Sequence, residues 1–292
     1  MQRLNGKETA KQIRTELKDK VNLRKQMVQK IPHLAAVLIG NDGGSLSYVT
    51  AKVKACEEIG FESTLIRFEN TISEDALLAK VRELNEDDAI DGFIVQLPLP
   101  KHINETKITD TISPNKDVDG FHPMNLGNMM LNLPGFLPAT PAGIMELMRR
   151  YDIETSGKHC VIIGRSNIVG TPLSMMLSRN SNPGNCTVTL AHSRTTNLKD
   201  LCLQADILIA AIGKPNFVSA DMVKDNAVII DVGTTRVEDA SRERGWRLVG
   251  DVNFNEVSAK ASFITPVPGG VGPMTIASLM MNTLKAMELN GK

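Results

Sequence analysis

The sequence predicts an α/β protein of two αβ lobes, each built on a parallel sheet, and three observations carry that reading. Short runs rich in Val, Ile and Leu recur along the 292-residue chain, helix-compatible segments separate them, and one loop-rich stretch interrupts the alternation near the middle. Strands that read as continuous apolar runs are buried on both faces, the condition of a parallel sheet covered by helices. Their alternation with helical stretches fits β-α-β crossovers.

Taken in order, the first strand runs are LAAVLIG (34–40), TLIRF (64–68) and GFIVQL (92–97). From about 98 to 141 the chain contains LPLP, SPNKDVDGFHP and NLPGFLPATPAG, whose prolines and glycines exclude long regular elements. The pattern restarts with HCVIIGR (159–165), TVTLAH (187–192), DILIAAIG (206–213) and AVIIDVG (227–233), implying a second parallel lobe. The tail, PMTIASLMMNTLKAMELNGK, places Pro273 at a plausible first helical position and carries apolar residues at helical spacing. A closing helix that returns to the first lobe is expected. The division expected is 1–140, completed by 268–292, and 141–267.

Lys plus Arg balances Asp plus Glu at 33 each, so the charge points to neither nucleic acid nor an anionic membrane surface, and a small-molecule partner is the expectation. Cys56, Cys160, Cys186 and Cys202 are widely spaced, with no C-x-x-C pair and no close histidine to complete a metal set. They read as reduced thiols in or near the core, and no metal is expected. The N-terminal segment lacks the apolar core of a signal peptide and carries acidic residues, and no run approaches membrane-spanning length. A cytoplasmic protein is expected.

In the second lobe a strand runs straight into GRSNIVGTP (164–172) and then a helix-compatible stretch. A glycine at the strand end lets backbone amides approach a pyrophosphate, and the helix start adds partial positive charge. Gly164 and Gly170 are separated by five residues, so the glycine pattern alone is a weak dinucleotide signal. After the next strand, where NAD-binding folds place an Asp or Glu on the ribose, this chain has His192, Ser193 and Arg194. The missing carboxylate, with Arg165 and Arg194 both available to a 2′-phosphate, favours NADP over NAD. Solvated loop arginines are the structural alternative.

In SLSYVTAKVKACEEIG (45–60), Leu46, Val49, Val53 and Cys56 form an apolar stripe on a helical wheel, and Tyr48 and Lys52 stack at i and i+4 on its edge. Partial desolvation lowers the pKa of a lysine, which makes such a side chain usable as an acid or base near neutral pH. A snorkelling lysine beside a packed tyrosine is the bland alternative. Gln96 interrupts an apolar run where a parallel strand ends, and ligands collect at such ends. Asp119 precedes Gly120 in a turn, where Asp is common for local hydrogen-bonding reasons.

Together these stretches resemble one family, the bifunctional methylenetetrahydrofolate dehydrogenase/methenyltetrahydrofolate cyclohydrolases. The match covers nearly the whole chain, through S-x-x-Y-V-x-x-K-x-K-A-C-E-E-I-G (45–60), QLPLP (96–100), KDVDGFHP (116–123), GRSNIVGTP (164–172), DVGTTR (231–236), GDV (250–252) and TPVPGGVGPMT (265–275). The resemblance implies an N-terminal catalytic domain and a C-terminal Rossmann-type NADP-binding domain. It implies that Lys52 acts on the one-carbon centre of the folate, that Gln96 helps set the state of that lysine, that Tyr48 packs beside the folate, and that Asp119 anchors the pterin. Pro268, Gly269 and Gly270 fall in a loop that is similar to one closing over folate and cofactor. NADP contacts are implied at Gly164, Arg165, Ser166, Ile168, Ser193, Arg194 and Thr234. Tetrahydrofolate one-carbon derivatives would be the substrates, in a homodimer formed through the cofactor lobe.

Some positions depart from the family pattern: Thr234 and Thr235 stand where Ile-Asn is more frequent, Ala139 where a cysteine is frequent, and Gly43-Gly44 where a more rigid pair precedes the helix. None removes a proposed reactive group. A monofunctional dehydrogenase on the same scaffold would lack Lys52, Gln96 or Asp119, whereas a non-catalytic dinucleotide sensor would show a degraded first-lobe cluster.

Overall fold

The computed structural model describes residues 1–290. In chain order the first elements are β1 (Gln2–Arg3), α1 (Gly6–Gln26), β2 (His33–Ile39), α2 (Gly43–Ile59), β3 (Glu62–Phe68), α3 (Glu74–Glu86), β4 (Gly92–Val95), α4 (Glu105–Thr111), α5 (Pro123–Leu131) and α6 (Ala139–Arg150). They continue with β5 (His159–Ile163), α7 (Gly170–Ser178), β6 (Thr187–Ala191), α8 (Leu198–Leu203), β7 (Ile207–Ala210), β8 (Val228–Asp231), β9 (Thr235–Glu238), β10 (Trp246–Val249), α9 (Phe254–Val257), β11 (Phe263–Ile264) and α10 (Val271–Asn290). Each apolar run read from the sequence forms a strand. The strands stop short of Gln96, Gly164 and Ile212, which therefore sit in the turns at their carboxyl ends.

The chain divides into two compact units. One comprises Lys11–Ala139 and the C-terminal stretch from Ile276; the other comprises Met1–Ala10 and Thr140–Thr275. This differs from the expected division at the first ten residues and at 268–275. For the first ten residues the cause is β1, which pairs in parallel with β11, its Gln2 N–H donating to Ser262 O at 2.7 Å and Leu4 N–H to Ile264 O at 2.9 Å. A two-residue strand carries no periodicity to read.

In the unit containing Lys52 the sheet order is β3-β2-β4, and both pairings are parallel. The central strand HLAAVLI is buried from Leu34 onward, as a middle strand covered on both faces must be. One core joins Ala35, Val37, Phe93 and Val95 to Leu77, Leu78 and Val81 of α3. Ser73 caps α3 by accepting from Ala76 N–H, and Glu74 and Asp75 occupy its first turn, where carboxylates favour the helix dipole. The loop-rich stretch contains the short helices α4 and α5, seven and nine residues long. Against it lies α10: Asn282 Nδ2 donates to Val118 O at 2.8 Å and to Leu137 O at 3.0 Å, and Lys285 Nζ donates to Gly135 O at 2.6 Å. The return of the tail helix is thus made by hydrogen bonds to loop carbonyls as well as by its apolar face.

The other unit holds a six-stranded sheet in the order β1-β11-β8-β7-β5-β6, parallel at every pairing. β6 lies on one side of β5 and β7 on the other, so the strand order reverses there, and such a switch point opens a crevice outside the carboxyl ends. The antiparallel β9-β10 hairpin was not expected from the sequence. Its Trp246 ring faces the guanidinium of Arg236 at 4.3 Å and of Arg244 at 5.0 Å, a cation–π arrangement. All four cysteines are free and buried. Among the described residues no helix is long and apolar enough to cross a membrane, and no group of His, Cys, Asp or Glu is placed to hold a metal ion.

Asn282 is 9 % exposed, so Asn282→Ala leaves two loop carbonyls with no partner from α10. We expect it to cost about 1–3 kcal/mol, read as a lower urea midpoint at unchanged slope.

Candidate active site

The buried residues of α2 are Ser45, Val49, Lys52, Ala55, Cys56 and Ile59. Lys52 therefore stands within the buried face, 5 % exposed, and not on its edge as the wheel suggested, while Leu46 and Val53 are half-buried. The reason is that α2 packs against β2 and β3 and is also covered by α10, where Cys56 Sγ meets Met280 Sδ at 3.6 Å. A helix covered from two directions buries a wider arc than one stripe. Asp42 caps its start, accepting from Ser45 N–H, and Gly60 closes it in the left-handed conformation, so the Gly43-Gly44 pair is held by a cap that the sequence reading did not use.

Lys52 Nζ donates to Gln96 Oε1 at 3.1 Å and lies 4.0 Å from Asp119 Oδ2. Gln96 follows β4 directly and prolongs the ladder through its N–H to Val37 O at 2.9 Å. Its side-chain Nε2 donates to Leu97 O at 2.8 Å, which fixes the amide so that its carbonyl faces the lysine.

The neighbouring motif separates two aspartates that the sequence could not tell apart. Asp117, 1 % exposed, accepts from Gly120 and Phe121 N–H at 3.2 Å each, from His122 N–H at 2.8 Å and from Asn125 Nδ2 at 2.9 Å. Local turn-building, expected of Asp119, is done by Asp117, and the Asp119 side chain is turned toward Lys52. Gly120 makes the turn possible. It holds φ +75, and a Cβ there would stand 2.6 Å from the Leu137 backbone. Asp119 shares with Val95, Leu97, Ile112 and Phe121 the lining of a small cavity. Burial pushes its carboxyl above the usual carboxylate range, Lys52 pulls it down, and Asp117 adds to the rise.

Tyr48, one turn before Lys52, is 39 % exposed. Lys52, Gln96, Asp119 and Tyr48 all belong to one unit, and Pro268, Gly269 and Gly270 to the other. That loop is tied to the start of α1 by Lys7 N–H donating to Gly269 O at 2.9 Å.

The residues read as a dinucleotide site lie at carboxyl ends of the six-stranded sheet. Gly164, at φ +119, directly follows β5, and a Cβ on Gly170 would fall 1.9 Å from Gly164 O, so α7 starts directly against the turn. Val169 gives α7 no side-chain cap; Thr171 N–H donates to Ser166 O at 3.1 Å and Pro172 has no N–H, so the first-turn amide that can meet a pyrophosphate is that of Gly170. Arg165, Ser166 and Ile168 are exposed on the same turn, and Ser193 and Arg194 are exposed after β6. The second turn is shaped by His192, whose N–H donates to Thr195 Oγ1 at 2.9 Å and whose Nδ1 accepts from Arg194 N–H at 3.2 Å. No carboxylate closes β6, so two cationic side chains and an uncapped helix start fit a phosphorylated ribose and a pyrophosphate. Thr234 is exposed after β8, two strands away from β5.

The model of the tetrahydrofolate dehydrogenase/cyclohydrolase catalytic domain matches residues 4–119, and that of the corresponding NAD(P)-binding domain matches 138–291. A protein of Cytophaga hutchinsonii named bifunctional protein FolD is 65% identical over 289 residues, 99% of this chain and 100% of the relative. The solved bifunctional enzyme FolD of Campylobacter jejuni superposes with a TM-score of 0.92 at 46% identity, covering 99% of both chains. The dehydrogenase-cyclohydrolase of Trypanosoma brucei, solved with NADP and an inhibitor, gives 0.93 at 36% identity over 99% of this chain and 97% of that one.

The raised pKa of Asp119 fixes the sign of a pH effect. The folded chain holds that proton more tightly than the unfolded one, so its stabilising contribution is present at low pH and is lost as pH rises from about 4 through the raised value. Measured by thermal unfolding, wild type should lose stability relative to Asp119→Asn across that window.

Proposed function

The chain belongs to the tetrahydrofolate dehydrogenase/cyclohydrolase family, and on that premise we propose that Lys52, Gln96 and Asp119 carry its cyclohydrolase step while the Gly164 turn and two arginines hold NADP. It is a bifunctional enzyme of one-carbon metabolism. It oxidises 5,10-methylenetetrahydrofolate to 5,10-methenyltetrahydrofolate with NADP⁺ and hydrolyses that product to 10-formyltetrahydrofolate. The intact Lys52 cluster favours this over a monofunctional dehydrogenase or a sensor.

In the oxidation NADP⁺, when bound, supplies the hydride acceptor. The folate nitrogens N5 and N10 stabilise the cation left on the one-carbon unit, so the protein is asked for alignment more than for acid or base. Arg165 and Arg194 would take the 2′-phosphate, Ser166 and Ser193 would add hydroxyl donors, Ile168 would lie against the cofactor, and Thr234 would contact its far end.

In the hydrolysis water adds to the methenyl carbon and its oxygen gives up a proton. The tetrahedral adduct collapses with cleavage of the carbon–N5 bond, N5 takes up a proton, and one proton is released overall. Lys52 Nζ is the group that moves these protons. Gln96 Oε1 occupies one of its N–H bonds at 3.1 Å, which orients the remaining positions on nitrogen. Asp119 offers two acceptor oxygens, matching the amino group and ring N–H of a pterin. Tyr48, one turn before Lys52 on α2 and partly exposed, would pack beside the folate.

The observation that carries this reading is a buried lysine whose amine meets a fixed amide carbonyl and a carboxylate in one unit. We also infer that the enzyme works in the cytoplasm as a homodimer, which sedimentation would test.

Lys52→Met should lower methenyl hydrolysis by about 10²–10⁴-fold and leave NADP⁺ binding measurable by calorimetry; full hydrolysis would remove Lys52 from its role. Arg194→Ala should weaken NADP⁺ by about 10-fold or more, the scale of a lost charge-assisted bond, and NAD⁺ far less. Equal losses would show that Arg194 does not read the 2′-phosphate.

A further inference from the structure

Two further aspartates, Asp231 and Asp251, are 3 % and 0 % exposed and have no part in the chemistry above. Asp231 ends β8. Its Oδ1 accepts from Gly233 N–H at 3.0 Å and Asp251 N–H at 2.8 Å, and its Oδ2 from Val252 N–H at 2.9 Å. It thereby fixes the turn after β10, and the fit is close: a Cβ on Gly250 would stand 1.9 Å from Asp231 Oδ2.

Asp251, seated in that turn, spends its own carboxylate on a different segment. Oδ2 accepts from Ile212 N–H at 2.7 Å and Gly213 N–H at 3.0 Å, and Oδ1 from Lys214 N–H at 2.7 Å. These three residues follow β7, beside β5, at the point where the strand order reverses. The loop also presses on the cradle, since a Cβ on Gly164 would lie 2.2 Å from Ala211 O. Gly213 and Lys214 are themselves exposed, so the segment is pinned from beneath and open above.

We infer that Asp251, held by Asp231, is a positioning residue for the NADP cradle: it fixes the Ile212–Lys214 backbone against the Gly164 turn and so sets cofactor affinity without touching the cyclohydrolase residues. This rests on the reading of the Gly164 turn as the cofactor site. A carboxylate is required because both of its oxygens accept. An asparagine keeps one acceptor and turns an NH₂ donor toward backbone donors, which leaves at least one buried N–H unmet.

Two measurements test it. In Asp251→Asn, titration calorimetry should show the dissociation constant for NADP⁺ raised about tenfold or more, on the scale of one charge-assisted bond. Hydrolysis of 5,10-methenyltetrahydrofolate, assayed with no nicotinamide present, should stay within about threefold of wild type. An unchanged NADP⁺ affinity, or equal loss of affinity and hydrolysis, overturns the inference, the latter because it marks a general structural role. The second measurement needs no variant and decides the matter should Asp251→Asn not fold. On adding NADP⁺ to wild type, backbone hydrogen exchange should slow at 211–214 as well as at 164–170. Slowing at 164–170 alone overturns the role of Asp251 and leaves the cradle standing. No slowing at either segment overturns both.

Discussion

A lysine amine taken out of water must be met by acceptors, and the unit that carries Lys52 is organised around that requirement. Removing an ammonium group from solvent without partners costs several kcal/mol, yet Lys52 sits inside the buried face of α2. Its acceptors come from two other places in the chain. Gln96 breaks an apolar strand at the point where the strand stops, and Asp119 leaves a turn that another residue has already built. Each of these choices weakens the core as a core, and on the proposed function each provides for the amine.

The same division of labour appears twice among the aspartates. Asp117 satisfies backbone and amide donors and thereby makes a turn rigid, which frees the Asp119 side chain to face Lys52. In the other unit Asp231 holds a turn so that Asp251 can hold a loop. Buried carboxylates here serve first as multi-acceptor anchors for backbone N–H groups, a job in which both oxygens are used. Burial raises the pKa of Asp119 and also that of the anchor Asp231, the latter to about 7, so it is the orientation of Asp119 toward Lys52, and not its pKa, that sets it apart and recommends it for the proposed chemistry.

Much of the fold was legible because parallel strands buried on both faces read as unbroken apolar runs, and because glycine- and proline-rich turns punctuate them. The Lys52 cluster was legible only through a resemblance, since a tyrosine and a lysine one turn apart occur on many ordinary helices. What could not be read depends on contacts distant in sequence. Periodicity placed Lys52 on an edge because it cannot count the elements that cover a helix, and here the sheet and α10 both do. Asp117 and Asp119 are two residues apart in one motif, and only the turn geometry assigns their roles. β1 is too short for any pattern, and the partners of Asp251 lie about forty positions away, at Ile212, Gly213 and Lys214.

If Gln96 and Asp119 act as one unit on Lys52, their losses in methenyl hydrolysis will not multiply. The most direct measurement is a kinetic double-variant cycle of Gln96→Ala and Asp119→Asn, separately and together, with 5,10-methenyltetrahydrofolate as substrate. Groups that act together are strongly non-additive, so the double variant should be little slower than the slower of the two single variants. A loss equal to the product of the two single losses would mean that the side chains act independently, which contradicts the account in which they serve Lys52 as one unit.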